Sequence, residues 1–529
     1  MIAGVQSFVL QGIDAVSCEI EADLSPVGLP KTTVVGLPDT AVKESMERVR
    51  AALLNSGYRF PQSRITINLA PADIPKEGPV YDLPLAIAIL VADGTIDPQT
   101  PGGESKNDGV DEEMPASGTS GGLHDYLIAG ELALDGRVRP IKGVISQAIL
   151  AKELMDGGEG IVGVIVPKAN AQEAAAIDGI EILGVSSLEE VVAHFNGGAN
   201  IEPQRILDVE QLVEQRNPEI DFADIRGQEA AKRAMLIAAS GGHNIIMLGP
   251  PGSGKTMLAR ALPGILPRLT RDEVLEVSRI YSSVGQLEQN EPLVLKRPVR
   301  SPHHTASSPA IIGGGTIPRP GDVSLAHRGI LFLDEIPEFS RHVLETLRQP
   351  LEEGHVTIAR AKGSIKFPAR FMFVGALNPT PKGQMATDEY SQRAMDKYLA
   401  KLSGPLIDRI DIHIEVPAVP YKKLTSKEKG TGTATLRDQV SAVRQIQKKR
   451  QKGIPTAELS GKQLDKIVLL DEPSQTMLGQ AMTELKLSAR AYDKIRRIAR
   501  TIADLDAEET VKIHHIAEAV QYRILDRGQ

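Results

Sequence analysis

The sequence predicts an α/β protein, with a core built on a parallel β-sheet, a helical C-terminal region and, before both, a domain of α+β type. Three observations predict this arrangement. A glycine-rich segment, 249–256, lies between the apolar run 245–248 and a helix-forming stretch. From Leu436 onward, apolar residues recur at helical spacing. The first 198 residues alternate strand-like and helix-like segments.

The chain of 529 residues is too long for one ordinary core, and three domains are expected. The first covers residues 1–198. Its segment 94–122 is rich in Gly, Pro, Ser and acidic residues, which predicts a disordered loop. Polar linkers separate a second domain, 219–420, from a helical third domain, 436–529.

Composition favours a globular protein of the cytoplasm. Hydrophobic residues make up 41% and charged residues 24% of the chain, and no apolar run is long enough for a membrane span. The first residues lack the pattern of a secretory signal, and Cys18 is the single cysteine. The net charge of −8 disfavours a protein that coats nucleic acid with its whole surface, although residues 436–529 hold 17 Lys and Arg against 13 Asp and Glu.

The glycine-rich segment reads GPPGSGKT and has the strand–loop–helix context of a P-loop. Its glycines let backbone N–H groups converge on phosphate oxygens, Lys255 would reach the β and γ phosphates, and Thr256 would supply a hydroxyl to Mg²⁺. The sequence therefore predicts an ATP site. The residues expected to contact the nucleotide are Gly249, Pro250, Pro251, Gly252, Ser253, Gly254, Lys255, Thr256 and Met257.

A second part of such a site is a buried strand that ends in an acidic residue holding the magnesium. The run ILFLDE places Asp334 at the end of a strand, with Glu335 beside it as the candidate base that polarises the attacking water. Alone, this run could equally be a strand followed by an exposed turn. Together with the P-loop, it predicts that Thr256 and Asp334 bind Mg²⁺.

Two more polar residues follow apolar segments farther along the chain. Asn378 ends the run FMFVGAL and could contact the γ-phosphate or the water, or could simply initiate a turn before Pro379. Arg409 lies in LIDRIDIHI, and an arginine in such a place can neutralise transition-state charge at a neighbouring subunit's nucleotide. Spacing alone does not show that it does.

In this order and spacing, GPPGSGKT, ILFLDE, ALNP and LIDRIDIHIEVP resemble the magnesium-chelatase-like branch of the AAA+ ATPases. Within that branch, residues 5–61 and the segment RPVRSPHHTASSPAIIGGG resemble the YifB/ComM competence-protein family. The resemblance covers nearly the whole chain. It implies an AAA+ P-loop core with a helical C-terminal lid.

The resemblance also implies roles and partners. Asn378 would be the sensor-1 residue, Arg409 the arginine finger and Arg490 the sensor-2 arginine of the lid. The chain would form a nucleotide-dependent hexameric ring, and the ring would act as a motor on single-stranded or branched DNA. The alternative is a chelatase-like or MoxR-like remodelling chaperone that acts on a protein partner through the same ATP site.

The N-terminal domain resembles the C-terminal domain of Lon protease, with its ribosomal-S5-like fold. Where that pattern has its serine and lysine, this chain has Val80 and Ile145. A protease of this type needs a nucleophile and a base in contact, so no peptidase activity is expected. ComM-like proteins usually read NPCPCG where this chain has Thr380 and Lys382, which excludes a cysteine metal site there.

Two further segments carry open interpretations. The insertion with 300–304 and 311–315 contains a histidine pair, which could hold a metal but more simply predicts an ordered loop facing a ring pore. The segment 356–373 predicts two strands joined by a basic turn, 360–363. By resemblance this is a hairpin that could touch DNA phosphates in the pore, although a solvated hairpin tip would have the same sequence.

Overall fold

The computed structural model describes residues 2–26, 29–98, 122–215, 219–288, 291–315, 317–360, 363–379, 402, 404–421 and 430–526. Two compact units contain them. The first unit comprises residues 1–211 with 271–294, and the second comprises 212–270 with 295–529.

Eighteen strands and nineteen helices are found within the described residues. The strands are β1 (Ile2–Gln11), β2 (Asp14–Ser25), β3 (Lys31–Val35), β4 (Arg64–Ala70), β5 (Tyr126–Ile128), β6 (Glu131–Leu132), β7 (Val138–Arg139), β8 (Gly163–Pro167), β9 (Glu181–Val185), β10 (Ile245–Leu248), β11 (Val299–Arg300), β12 (Gly313–Gly314), β13 (Arg319–Pro320), β14 (Ile330–Leu333), β15 (His355–Arg360), β16 (Gly363–Pro368), β17 (Met372–Leu377) and β18 (Ile412–Glu415). The helices are α1 (Thr40–Asn55), α2 (Asp82–Ala92), α3 (Val144–Asp156), α4 (Ala171–Ala174), α5 (Leu188–Phe195), α6 (Val209–Glu214), α7 (Glu229–Gly241), α8 (Lys255–Ala261), α9 (Arg271–Val284), α10 (Ser308–Ile312), α11 (Asp322–Leu325), α12 (Arg341–Thr346), α13 (Arg348–Glu353), α14 (Gly404–Ile407), α15 (Thr433–Gln451), α16 (Gly461–Ile467), α17 (Glu472–Glu484), α18 (Ala489–Leu505) and α19 (Ile513–Gln521).

The first unit is of mixed α and β type. One sheet has the order β1-β2-β4-β3, antiparallel except for the β3–β4 pair, and a second, parallel sheet has the order β5-β8-β9. Every residue of α2 is buried, as its apolar sequence predicts. Its one carboxylate, Asp82, is paired with Arg48 at 2.8 Å and accepts the N–H of Leu132 at 3.2 Å, because a buried charge needs partners. Burial raises the pKa of Asp82 in spite of Arg48.

Residues 271–294 pack with the first unit although they fall inside the predicted 219–420 domain. Helix α9 is held there by Arg271, which pairs with Asp178 at 2.6 Å, and by Arg279, which donates to the carbonyl of Ile13 at 2.9 Å. At the start of the predicted disordered loop, Ile96 is buried in the core of this unit. Residues 99–121 of that loop lie outside the described residues.

The second unit is built on a five-stranded sheet with the order β11-β14-β17-β10-β18, in which every neighbouring pair is parallel. The four residues of β10 and of β14 are fully buried, as expected for a parallel sheet covered on both faces. The C-terminal helices share one hydrophobic core with this sheet, and α18 contributes Ile495, Ile498 and Ile502 to it. The predicted fold class, a parallel α/β core with a helical C-terminal region, is confirmed.

Because the lid helices and the sheet share this core, residues 436–526 belong to the same compact unit as the sheet. Periodicity predicted the helices themselves but could not show which core they would join. No helix in the described part of the chain has the length and apolar character of a membrane span.

Candidate active site

The glycine-rich loop connects β10 to α8, as the sequence predicts. Gly252 and Gly254 have φ angles of +73° and +96°, a region that favours glycine, and a Cβ added to either would meet no atom within 4 Å. The rim of the loop is therefore open to a ligand. At Gly249 the backbone itself is crowded, since an added Cβ would lie 2.1 Å from the carbonyl oxygen of Val416.

Lys255 is buried beneath this loop, and its Nζ has three oxygen acceptors. It donates to the carbonyls of Gly249 at 2.6 Å and Pro250 at 2.9 Å and to Oδ1 of Asn378 at 3.2 Å. Burial lowers the pKa of Lys255, and the charges of Asp334 and Glu335 oppose that shift. A phosphate group would offer this ammonium stronger, charged acceptors than the carbonyls that it now contacts.

Thr256 and Asp334 meet at the same edge of the sheet, with Thr256 Oγ1 donating to Asp334 Oδ2 at 3.1 Å. The reason is topological: β10 and β14 both flank β17 in parallel, so their carboxyl ends lie together. The backbone N–H of Glu335 donates to Asp334 Oδ1 at 2.9 Å. Glu335 itself is exposed and has a φ of +50°, a conformation that non-glycine residues adopt at a cost and that is frequent at functional sites.

These residues fit a magnesium nucleotide. Ser253 Oγ is buried in the loop without a hydrogen-bond partner among the described residues, so a donor or acceptor from a ligand would complete it. A threonine hydroxyl and a carboxylate are oxygen ligands of the kind that Mg²⁺ prefers. Thr256 and Asp334 would hold the ion, which would neutralise phosphate charge, while Glu335 is exposed beside them and available to accept a proton from water.

Arg409 and Arg490 lie in a different cluster of the same unit. Arg409 donates to the carboxylate of Glu352 and to the carbonyl of Pro405, and its Nε is buried without a partner in the described chain. Arg490 pairs with Asp408 at 2.8 Å. The pKa of Arg409 is lowered by burial and then by the nearby charges of Arg348 and Arg490. The three arginines are thus close to one another, and each is paired with a carboxylate, Glu345, Glu352 or Asp408.

Gln228 contacts the glycine-rich loop, and the sequence did not identify it as a site residue. Its Nε2 donates to the carbonyl of Ser253 at 3.0 Å and to that of Pro417 at 2.6 Å, which ties the glycine-rich loop to the end of β18. Gln228 has a φ of +59° and precedes α7. No spacing pattern singles it out, because Pro417 is 189 residues away in the chain.

The insertion before β14 forms ordered structure. It contains β11, at the edge of the parallel sheet, and the β12–β13 pair. The rings of His303 and His304 lie 4.1 Å apart between centroids. The hairpin of β15 and β16 forms as predicted, but the side chains of its tip, 360–363, and the positions of Thr380 and Lys382 lie outside the described residues.

A grouping of metal-ligand type in the described chain is found elsewhere, at Asp506, His514 and His515. His515 Nδ1 accepts the N–H of Lys512 at 2.9 Å, so in the neutral ring Nε2 carries the proton and faces Asp506 Oδ2 at 3.2 Å. A ring nitrogen that carries a proton has no lone pair for a metal. The group fits a buried hydrogen-bonded histidine better than a metal centre.

In the first unit, Val80 lies in a 3₁₀ turn before α2 and is partly buried, and Ile145 is fully buried in the first turn of α3. Both positions have apolar side chains that can act neither as nucleophile nor as base. The absence of peptidase activity stays a prediction.

Three family models match separate parts of the chain. The family model described as "Magnesium chelatase, subunit ChlI" matches residues 221–424. "Subunit ChlI of Mg-chelatase" matches 20–104, and "Magnesium chelatase, subunit ChlI C-terminal" matches 430–523.

Individual relatives align over almost the whole chain. The competence protein ComM of Haemophilus influenzae is 42% identical over 530 residues, covering 99% of this chain and 98% of its own. The protein YifB of Escherichia coli is 41% identical, covering 98% of this chain and 96% of its own. A magnesium-chelatase subunit ChlI of Nephroselmis olivacea is 24% identical over 58% of this chain and 88% of its own.

Proposed function

The chain belongs to the YifB/ComM family of magnesium-chelatase-like AAA+ ATPases, and we propose that it is an ATP-driven motor that acts on DNA. In its most specific form, the proposal is a hexameric branch-migration helicase that works in recombination and natural transformation. The observation that carries the catalytic part is the convergence of Lys255, Thr256, Asp334 and Asn378 at one sheet edge.

Each residue of the site has a role in this proposal. Lys255 binds the β and γ phosphates, Thr256 and Asp334 hold Mg²⁺, and Glu335 accepts a proton from the attacking water. Asn378, which contacts Lys255 at 3.2 Å, would orient that water or the γ-phosphate.

Arg409 and Arg490 act on charge that develops during hydrolysis. With Arg348 they belong to a group of three arginines that pair with Glu345, Glu352 and Asp408. Such a group suits the nucleotide of a neighbouring subunit, which is why a ring is part of the proposal.

DNA is proposed as the substrate on three grounds. The relative from Haemophilus influenzae is named a competence protein. Residues 436–529 hold an excess of Lys and Arg, and the sequence between Ala359 and Gly363, which joins β15 to β16, contains Arg360 and Lys362. Contacts of such cations with phosphates release counterions, so binding should weaken with salt.

A second candidate is an ATP-dependent remodelling chaperone that acts on a protein. It is favoured by the three matches to magnesium-chelatase family models and by the ChlI relative. The ATP site would be the same in both cases, so the macromolecule that stimulates hydrolysis distinguishes them.

The test is the rate of ATP hydrolysis with and without a four-way DNA junction, measured at roughly 50 mM and 200 mM salt. We expect the junction to raise the rate at the lower salt concentration and to lose most of that effect at the higher one. A rate that is the same with and without DNA at both concentrations would contradict the DNA motor and favour the chaperone. Lys255→Ala serves as the control for contaminating ATPases.

A further inference from the structure

The segment that carries Arg409 is fixed through its backbone. Between α14 and β18, the carbonyl oxygen of Arg409 accepts Asn244 Nδ2 at 3.1 Å, and the carbonyl oxygen of Ile410 accepts Lys494 Nζ at 2.9 Å. Both donors come from parts of the chain distant in sequence: Asn244 directly precedes β10, and Lys494 lies in α18. The carbonyl groups of Arg409 and Ile410 are thus each hydrogen-bonded to a side chain from a different part of the fold.

Asp411 adds a charged anchor to this segment. Its carboxylate is 3.3 Å from Lys494 Nζ and 3.3 Å from His243 Nδ1, and His243 Nε2 in turn lies 2.8 Å from Thr501 Oγ1. Burial alone would raise the pKa of Asp411, but Lys494 and then His243 hold it well below its usual value. The carboxylate is therefore charged and paired at every pH at which the protein would work.

Arg523, near the C-terminal end of the chain, contacts the same segment. Its Nη1 donates to the carbonyls of Ile410 at 2.7 Å and Asp411 at 3.0 Å. Lys494 is the member of this set that contacts both the backbone and the carboxylate of the segment, within two residues of Arg409.

The same segment is tied to the strands that carry the phosphate-binding residues. The carbonyl of Asn244 accepts the N–H groups of Asp411 and Ile412, each at 3.0 Å, and Asn244 Oδ1 accepts the N–H of Phe373 in β17 at 2.8 Å. Strand β10 leads into the Lys255 loop, and Asn378 directly follows the end of β17. Helix α18 begins at Ala489, next to Arg490.

We infer that Lys494 is a positioning residue: it fixes the backbone at 410–411 to helix α18, so that Arg409 is presented to the neighbouring subunit's nucleotide in the orientation that hydrolysis requires. This inference rests on the proposed function, because the action of Arg409 between subunits is itself part of that proposal. Lys494 acts through Arg409 and contacts no part of its own P-loop in the hydrogen bonds described above.

The physical reason for this role is that the position of the Arg409 guanidinium depends on the position of its backbone. A guanidinium that must meet a phosphate in trans is placed by its backbone, and a displacement of about 1 Å in such a group can cost roughly 100-fold in rate. Without Lys494, the Ile410 carbonyl loses one of its donors and the buried Asp411 loses its cationic partner. The segment would then move while the P-loop of the same subunit kept its contacts.

The test uses the full-length chain with Lys494→Gln and measures ATP hydrolysis and ATP binding separately. We expect kcat to fall roughly ten-fold to 100-fold while KM for ATP changes by less than about two-fold, the signature of a lost transition-state contact. Mixing the variant with an excess of Glu335→Gln subunits, which are expected to bind ATP and assemble without hydrolysing it, should restore most of the rate per variant subunit. In mixed rings, the intact ATP site of the variant receives an undisturbed Arg409 from its Glu335→Gln neighbour.

Two controls make the outcome specific. The first is Arg496→Gln. Arg496 is a cation on the same helix with the same 8% side-chain exposure as Lys494, but its partners are Asp465 and Asp493. Its substitution should leave kcat unchanged. Arg409→Ala should behave as Lys494→Gln does, including restoration by mixing. If Lys494→Gln does not fold, the double variant Lys494→Met with Asp411→Asn removes both charges together and is measured in the same way.

Unchanged kcat in a folded Lys494 variant would overturn the inference, and so would a lost rate that mixing does not restore although it restores Arg409→Ala. If mixing fails to restore Arg409→Ala as well, the arginine does not act between subunits, and that result contradicts the proposed function at this point. The two failures are thus distinguishable.

Discussion

At the scale of single residues, the proposal makes Lys255 the residue on which ATP binding depends most. Its ammonium group now contacts two loop carbonyls and Asn378, all of them neutral acceptors. We expect Lys255→Ala to weaken ATP binding about 100-fold, because a buried charge-assisted contact to phosphate is lost. Equilibrium binding of a fluorescent ATP analogue measures this, with Arg260→Ala, an exposed cation on the same helix, as the matched control. Equal affinity of Lys255→Ala and the unsubstituted protein would contradict the assignment.

Glu352 is a second residue with a measurable effect. Its carboxylate, about half exposed, accepts from the guanidinium of Arg409. Because this carboxylate competes with a neighbour's phosphate for the same guanidinium, we expect Glu352→Gln to raise ATP hydrolysis at low protein concentration by roughly two-fold to five-fold. Glu353→Gln, one residue on and without that contact, should have no effect. Slower hydrolysis in Glu352→Gln would instead show that the carboxylate orients Arg409.

The residues of the site that the sequence predicted are those that local patterns encode. The P-loop and the acidic pair lie on strands whose apolar runs and following polar residues are readable without any tertiary information. Gln228, Glu352 and Lys494 could not be predicted in this way. Their partners are tens to hundreds of residues away in the chain, and an isolated glutamine, glutamate or lysine usually lies at a solvated surface.

At the scale of elements, the buried carboxyl of Glu173 on α4 makes the stability of the first unit depend on pH. Glu173 on α4 is buried, and Asn170 donates to it; burial raises the pKa of its carboxyl from 4.5 to about 7. Three residues on, the carbonyl of Ala176 accepts Arg271 of α9 at 3.0 Å. Glu173 and the Ala176 carbonyl thus belong to one short segment that contacts α9.

The sign of the pH dependence follows from that shift. As pH rises from about 4.5 to about 7, the unfolded chain loses the proton of Glu173 before the folded chain does, so folding stability falls across this range, by roughly 3 kcal/mol in total. Above about 7 the loss is complete. We expect Glu173→Gln to unfold at a higher temperature than the unsubstituted protein at pH 8 and to show no such gain near pH 4.5.

Thermal unfolding followed by circular dichroism at the two pH values makes this measurement. Glu153→Gln, an exposed carboxylate on α3, should change neither midpoint. A gain of equal size at both pH values would show that the effect comes from packing and not from ionisation.

The elements themselves were largely predictable, but their grouping was not. The buried helix α2, the hairpin of β15 and β16 and the helical C-terminal region follow from apolar periodicity, which local sequence carries. That α9 packs with the first unit depends on Arg271 and Arg279 finding Asp178 and the Ile13 carbonyl, contacts that no pattern encodes. The predicted boundary near residue 198 therefore did not reveal that the chain returns to the first unit.

At the scale of the whole molecule, the proposal requires a ring. Arg409 and Arg490 lie in a group of arginines paired with carboxylates, and the described contacts of Lys255 do not include it. A ring would supply each such group with a neighbour's nucleotide. We expect sedimentation velocity to show Glu335→Gln as a hexamer with Mg-ATP and as smaller species without nucleotide. Lys255→Ala should remain small under both conditions, and a hexamer of that variant with Mg-ATP would show that assembly does not depend on the site.

The most direct test of the central claim compares ATP turnover and ATP binding in the unsubstituted protein and in Glu335→Gln. Glu335 is exposed beside Asp334 and, as the proposed base, is needed for hydrolysis and not for binding. Glu338→Gln, an exposed glutamate three residues on, is the control. We predict that Glu335→Gln binds Mg-ATP with unchanged affinity and hydrolyses it at roughly one-hundredth of the normal rate or more slowly. Turnover at the normal rate in Glu335→Gln would contradict the account.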